Sequence, residues 1–164
     1  DETLIDIKAM SHLIGNTSGM NAAWAPQVLW DGQAYMVYFS LNCAATGRLY
    51  LVYLKTTDLL DQNAYYEYGI LYDQGVGTEV IDGDIILNPK DGKYYLFYKN
   101  QAWEESYNNL KTIHYLVSST DSPYGPYTTE GLKGTVDAKG GLLYPGYTAH
   151  LEGCNSFFDN SRQR

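Results

Sequence analysis

The sequence VLWDGQAYMVYF at residues 28–39 recurs as LNPKDGKYYLFYK at residues 87–99 when the Asp-Gly at 31–32 is aligned with that at 91–92. Each copy consists of a short apolar run, the Asp-Gly dipeptide typical of tight hairpins, and a tyrosine-rich run. A third copy begins at residues 154–160 as CNSFFDN. Repetition at an interval of about 60 residues indicates a repeated supersecondary unit.

Each copy is followed by further strand-like runs, so that a unit holds about four strands. These runs are residues 48–54 and 65–72 in the first unit and 112–118 and 125–128 in the second. Helical periodicity is poor, and Gly, Pro, Asn and Asp recur at intervals of roughly 8 to 12 residues. Repeated four-stranded antiparallel units are the blades of a β-propeller. The sequence therefore predicts an all-β propeller, and a sandwich of hairpins is the alternative.

The repeat divides the chain of 164 residues into parts of one partial propeller domain. Residues 1–20 are predicted to form the outer edge of a preceding blade, 21–75 one blade, 76–146 a second, and 147–164 the start of the next. Because a propeller needs roughly 4 to 8 blades, we expect an incomplete propeller of about two and a half blades. Its open strand edges predict a homo-oligomer or a missing sister segment that covers them.

Composition limits the classes of partner. The chain is 45% hydrophobic and 18% charged, which is typical of a globular protein. Its formal charge is −8 and no cluster of Lys or Arg interrupts the acidity, so nucleic acid and membrane surfaces are not expected partners. Apolar runs are far shorter than the roughly 20 residues that span a bilayer. The chain begins without methionine, which leaves secreted and cytoplasmic locations both open.

The sulfur and imidazole side chains do not predict a metal or redox site. Cys43 and Cys154 have neither metal-ligand spacing nor the density of a disulfide scaffold, so two idle thiols are favoured over a bridge. His12, His114 and His150 also lack ligand spacing. No phosphate-binding glycine loop or Ser/His/Asp signature occurs. We therefore expect no metal and no cofactor.

Carboxylates recur at the predicted starts of the inner strands. The three starts read WAPQ at 24–27, IDGD at 81–84 and LEGC at 151–154. If the Asp-Gly hairpins lie at one end of the propeller, these starts lie at the other, and Asp82 and Glu152 converge there from neighbouring blades. Glycoside hydrolysis requires such a pair, one acid protonated and one group ionised. A nearby charge on Asp82 would raise the pKa of Glu152, giving the two acids distinct roles.

Aromatic side chains are predicted at the same mouth, and each candidate also has a plainer interpretation. Trp24 offers a flat face for a sugar ring, and Trp103 lies in a loop expected beside it, but Trp24 could instead pack between blades. Glu152 could be a solvated loop acid, and Asp82 could cap a turn. Asp84 faces the same side of the strand as Asp82 and competes for its role, which alternation cannot resolve.

These motifs resemble glycoside hydrolase family 43, five-bladed propeller enzymes that cleave arabinosyl and xylosyl linkages with inversion. WAPQ at 24–27 resembles the family's Trp-Ala-Pro-Glu/Gln opening of the second blade. VIDGD at 80–84, followed by KDGKYYL at 90–96, resembles the third-blade segment whose aspartate orients the acid and tunes its pKa. LEG at 151–153 resembles the Glu-Gly-Pro opening whose glutamate is the general acid, and GPY at 125–127 resembles the third-blade outer strand.

The resemblance covers about residues 20–159 and implies Glu152 as general acid and Asp82 as pKa modulator, acting on plant polysaccharides or oligosaccharides. Trp24 and Trp103 are expected to contact the sugar. The family's general base is an aspartate of the first blade, and no equivalent precedes Trp24 because Asp6 falls in an expected outer strand. A channel calcium held by a last-blade histidine, as in many members, would also need ligands from outside this chain. We therefore expect the isolated chain to be nearly inactive.

Cys154 and the missing general base are departures from the family pattern that keep other functions open. Cys154 replaces the usual proline and resembles the Glu-Cys motif of fructan hydrolases, although Ile81 is not the arginine of their Arg-Asp-Pro. A non-catalytic carbohydrate-binding propeller would keep the cleft without the chemistry, and a purely structural propeller would have incidental acids.

Overall fold

The computed structural model describes residues 5–8, 10–15, 18–44, 46–75, 79–100, 111–132, 136–137, 140–142, 154 and 156. Within this described part the chain forms ten strands, one four-residue helix and one 3₁₀ turn. The prediction of an all-β chain is confirmed.

The first sheet is a simple antiparallel meander. Its order follows the chain: β1 (Met20–Trp30), β2 (Tyr35–Cys43), β3 (Arg48–Thr56) and β4 (Tyr65–Tyr72). The first hairpin turns at Asp31-Gly32, where Asp31 Oδ1 accepts hydrogen bonds from the N–H groups of Gln33 at 2.8 Å and Ala34 at 2.7 Å. Gly32 has a φ of +100°, a conformation that glycine adopts freely. The strands predicted at 48–54 and 65–72 are present.

The second sheet repeats this plan and adds a hairpin at its outer edge. Its strands are β5 (Val80–Asn88), β6 (Lys93–Asn100), β7 (Thr112–Ser118), β8 (Tyr127–Thr128), β9 (Val136–Asp137) and β10 (Gly140–Leu142). The order is β5-β6-β7-β10-β9, and β8 pairs with the remaining part of β7. The sequence predicted β8 but not the β9–β10 hairpin, because a glycine pair resembles a turn. A Cβ on Gly140 would lie 2.6 Å from the Tyr115 carbonyl oxygen, so this close pairing requires glycine.

The two sheets pack face to face across one hydrophobic core. Fully or almost fully buried side chains from both sheets meet there: Met36, Tyr38, Leu51, Val80, Ile85, Leu96, Tyr98 and Leu116. A hydrogen bond also crosses the interface, from the Ile85 N–H to Tyr38 Oη at 3.2 Å. Successive antiparallel sheets packed in this way are propeller blades.

The N-terminal segment covers part of the opposite face of the first sheet. Met10 is fully buried there against Val37, Phe39 and Leu41. The outer strand expected within residues 1–20 is not seen in the described positions, which form turns at 7–8 and a short helix α1 (Ser11–Ile14). The reason is local, since apolar side chains at residues 10, 13 and 14 follow helical spacing. Assignment of this segment to a preceding blade stays a prediction, as does an oligomer.

Three polar side chains, Asp31, Lys55 and Tyr124, join the two sheets at the hairpin end, and we call this cluster the clasp. Tyr124, in the turn between β7 and β8, donates its hydroxyl to Asp31 Oδ2 at 2.5 Å. Lys55 Nζ lies 3.5 Å from the same oxygen and 4.3 Å from the centroid of the Tyr124 ring. Burial raises the pKa of Asp31, but hydrogen bonds from Tyr124, Ala34 and Gln33 and the charge of Lys55 together lower it from 3.8 to about 2.

Substitution of Tyr124 with phenylalanine is expected to lower the free energy of unfolding by about 1 to 3 kcal/mol, because it removes a hydrogen bond to a charged group. The ionised Asp31 stabilises the fold above pH 3.8, and this contribution is lost as pH falls toward 2. Urea titrations between pH 2 and 6 should therefore show a shallower pH dependence in Tyr124→Phe than in the wild type.

Tyr95→Phe is the matched control, since it removes an exposed tyrosine–aspartate bond of 2.8 Å to Asp91. Water screens that pair, so the loss should stay below about 1 kcal/mol. Equal losses in the two variants would contradict a stabilising role for the clasp.

Candidate active site

The inner strand of each sheet carries a bulge, at WAPQ in β1 and at IDGD in β5. In β1 the pairing with β2 shifts between Trp24 and Gln27, and in β5 the pairing with β6 shifts between Ile81 and Asp84. Bulges redirect side chains and are common beside active sites. The repeat seen in sequence therefore extends to this irregularity, and Asp82 lies within the second bulge.

The bulges force an uncommon backbone conformation. Ala25 and Asp82 have φ values of +48° and +53°, and among the described residues no other side-chain-bearing residue has a positive φ. Such a conformation is uncommon for a residue other than glycine. A Cβ on the next residue, Gly83, would lie 2.8 Å from Leu51 Cδ1. Asp82 is thus held in an unusual conformation where β5 presses closely against the first sheet.

Asp82 is fixed through its backbone from two sides. Its N–H donates to Ser40 Oγ at 3.0 Å, and its carbonyl oxygen accepts a hydrogen bond from Cys154 Sγ at 2.8 Å. The residue is half-buried. Within the described part of the chain, no group donates a hydrogen bond to its carboxylate.

Asp84 has different surroundings, although it lies only two residues further along β5. It is 7% exposed, and its Oδ2 accepts hydrogen bonds from both the N–H and the hydroxyl of Ser156. The structure thus separates two carboxylates that strand alternation left equivalent. Sequence reasoning missed Ser156 and Ser40 altogether, because an isolated serine carries no signal for such contacts.

The Cys154 thiol and the Tyr38 hydroxyl are protonated at neutral pH. Burial raises the pKa of the Cys154 thiol to about 12, and the charges of Asp84 and Asp82 add to this effect. Burial likewise raises the pKa of Tyr38 to about 12, opposed by the hydrogen bond from Ile85 and reinforced by Asp84 and Cys154. Cys154 is therefore a neutral hydrogen-bond donor at pH 7 and not a nucleophile. It is unbridged, as is the buried Cys43.

Trp24 lies beside an apolar recess of about 460 Å³. Its side chain is 43% exposed, and the recess is also lined by Pro26, Val28, Val37 and Phe39. Such a lining suits the apolar face of a sugar ring and equally suits packing against another sheet, so both interpretations of Trp24 stand. Trp103, Glu152 and His150 lie outside the described residues.

The described residues offer no ligand set for a channel calcium. No group of three His, Cys, Asp or Glu side chains within this part of the chain could hold a metal ion. His114 is buried, its Nε2 lies 2.8 Å from Thr112 Oγ1, and its ring stacks on Tyr98 at 5.6 Å. These contacts give His114 a packing role.

Across the described ranges, no helix is both long and apolar enough to cross a membrane.

Two solved structures of glycosidases are similar to this chain. The catalytic domain of the Coprinopsis cinerea GH62 α-L-arabinofuranosidase matches with a TM-score of 0.50 and 17% identity, covering 70% of this chain and 32% of that one. A GH43 β-1,3-galactosidase matches with a TM-score of 0.46 and 20% identity, covering 65% of this chain and 32% of that one. The chain thus spans about a third of either enzyme. At such identities the first likeness shows the fold alone.

Sequence comparisons point to one family. Among curated proteins, a class 1 fructose-1,6-bisphosphatase of Pelodictyon phaeoclathratiforme is 22% identical over 111 residues, 63% of this chain and 33% of that protein. An identity this low establishes no family, and the chain spans a third of that relative. By contrast, the family model described as "Probable glycosyl hydrolase domain" matches residues 4–163. Since that match spans nearly the whole chain, this protein belongs to that glycosyl hydrolase family, which is related to glycoside hydrolase family 43.

Proposed function

We propose that the protein is a glycoside hydrolase that cleaves arabinosyl or xylosyl linkages in plant polysaccharides or oligosaccharides with inversion. Glu152 is the general acid and Asp82 the residue that keeps it protonated. The observation that carries this proposal is the bulge of β5, which holds Asp82 with a φ of +53° at the start of an inner strand. Glu152 is the second residue of LEGC at 151–154, as Asp82 is the second residue of IDGD at 81–84.

The reaction needs two separate proton transfers, one from a general acid and one to a general base. In an inverting reaction the acid gives its proton to the glycosidic oxygen as the bond to the anomeric carbon breaks. Water attacks that carbon from the opposite face and gives its proton to a general base, so the products are two hydroxyl compounds. Glu152 supplies the first proton, and the negative charge of Asp82 favours the protonated form of Glu152. No residue of this chain is assigned as the base.

The substrate class is tested by assaying the full natural protein with aryl arabinofuranosides, aryl xylosides and the corresponding oligosaccharides. We expect turnover of at least one of these sugars. Sucrose and levan are assayed as a second set of substrates, because Cys154 matches the Glu-Cys motif of fructan hydrolases. Turnover of fructans alone would transfer the assignment to that class.

A non-catalytic carbohydrate-binding propeller is the second candidate. Cys154 favours it, because a neutral thiol bound to the Asp82 carbonyl oxygen lies where family 43 has proline. Titration calorimetry with arabino- and xylo-oligosaccharides distinguishes the two functions. Binding without any released sugar would support this candidate and exclude hydrolysis of the sugars tested.

A further inference from the structure

Cys154 and Ser156, the described residues at the start of the third repeat, form three hydrogen bonds with β5. Ser156 gives two of them, from its N–H and its hydroxyl, to Asp84 Oδ2. Cys154 gives the third, from its thiol to the carbonyl oxygen of Asp82 at 2.8 Å. The two donor residues follow Glu152 by two and four positions. The segment that carries the proposed acid is therefore bound to the strand that carries Asp82.

Burial makes the Asp84 bonds the stronger part of this connection. Asp84 is 7% exposed, and hydrogen bonds shielded from water are electrostatically stronger than those exposed to it. Two residues of extended chain span at most about 7 Å. Fixing the chain at Cys154 and Ser156 therefore restricts where the Glu152 carboxyl can lie.

A negative charge at this position is not a general requirement of the blade. Gln27 has the equivalent position in β1, directly after the bulge, and it is neutral. Asp84 therefore differs from its counterpart in the preceding sheet. The Asp84 carboxylate is buried and bound to Ser156, whereas Asp82 is half-buried.

We propose that Asp84 is a positioning residue, whose carboxylate holds Ser156 and thereby holds the Glu152 segment where the acid can protonate the leaving oxygen. This inference rests on the proposed function. Asp84 acts through Ser156 and does not touch the substrate. Its loss should misplace the acid without removing it.

The test compares substrates that differ in their need for an acid. A dinitrophenyl leaving group departs without protonation, whereas a methyl glycoside or an oligosaccharide needs a proton. In the full natural protein, Asp84→Asn should lower kcat/KM for the unactivated substrate by up to about 100-fold, because small misplacements have effects of that size. For the dinitrophenyl glycoside of the same sugar the loss should stay below about threefold.

Ser156→Ala should show the same split to a smaller degree, and it provides the test if Asp84→Asn does not fold. Asp91→Asn is the matched control, since it makes the same chemical change at an exposed hairpin turn remote from the site and should leave both substrates unaffected. Equal losses on both substrates, or none, would overturn the inference while leaving the glycosidase intact. A wild type that hydrolyses neither substrate would instead overturn the proposed function and, with it, the inference.

Discussion

Glu152→Gln is expected to lower kcat/KM for unactivated arabinosides or xylosides by about 10²- to 10⁴-fold, the usual contribution of a positioned general acid. Glutamine has nearly the same shape as glutamic acid but has no carboxyl proton to give. The leaving oxygen must then depart as an alkoxide, which is a far poorer leaving group.

Steady-state kinetics of the full natural protein with a methyl glycoside and a dinitrophenyl glycoside measure this effect. The variant should keep most of its activity on the dinitrophenyl substrate, which needs no acid. A comparable loss on both substrates would mean that Glu152 has another role, and full activity on both would remove it from the mechanism. Asp91→Asn again provides the control for a remote change of a carboxylate.

Asp82→Asn is expected to produce the second largest effect, and it should appear in the pH profile. Without the negative charge of Asp82, Glu152 loses its proton at a lower pH. The alkaline limb of kcat/KM should therefore move to lower pH by about one unit, and activity above the new limb should fall by about tenfold. Asparagine also tolerates a positive φ, so the bulge should be retained.

Profiles from pH 4 to 9 for the wild type and Asp82→Asn give the displacement directly. The same profile is measured for Asp84→Asn. Because Asp84 positions the acid, its loss should lower the maximum of kcat/KM. If Asp84→Asn moved the limb and Asp82→Asn did not, the roles of these two carboxylates would be exchanged.

The sequence predicted the strand framework because the signals for it are local. Asp31 and Asp91 both accept backbone N–H groups two residues ahead, Gln33 and Lys93, so each Asp-Gly pair specifies its own turn. The tyrosines that follow the turns pack as expected, and Tyr38 and Tyr98 are at most 3% exposed in the core between the sheets.

The bulges could not be predicted in the same way. A shift in pairing depends on the partner strand, and Ala25 carries no preference for the positive φ that it adopts. For the same reason alternation could not separate Asp82 from Asp84, since the inserted residue changes which side each faces. At the N-terminus, Ile5 and Ile7 alternate as in a strand, and the burial of Met10 outweighs that pattern.

The central claim is that a glycosidic bond is cleaved with inversion and with Glu152 as the acid, and proton NMR of the first sugar released from an arabino- or xylo-oligosaccharide tests it most directly. The full natural wild-type protein should release the sugar with inverted anomeric configuration, and Glu152→Gln should release almost none in the same time. Release with retained configuration, or equal release by the two proteins, would contradict it.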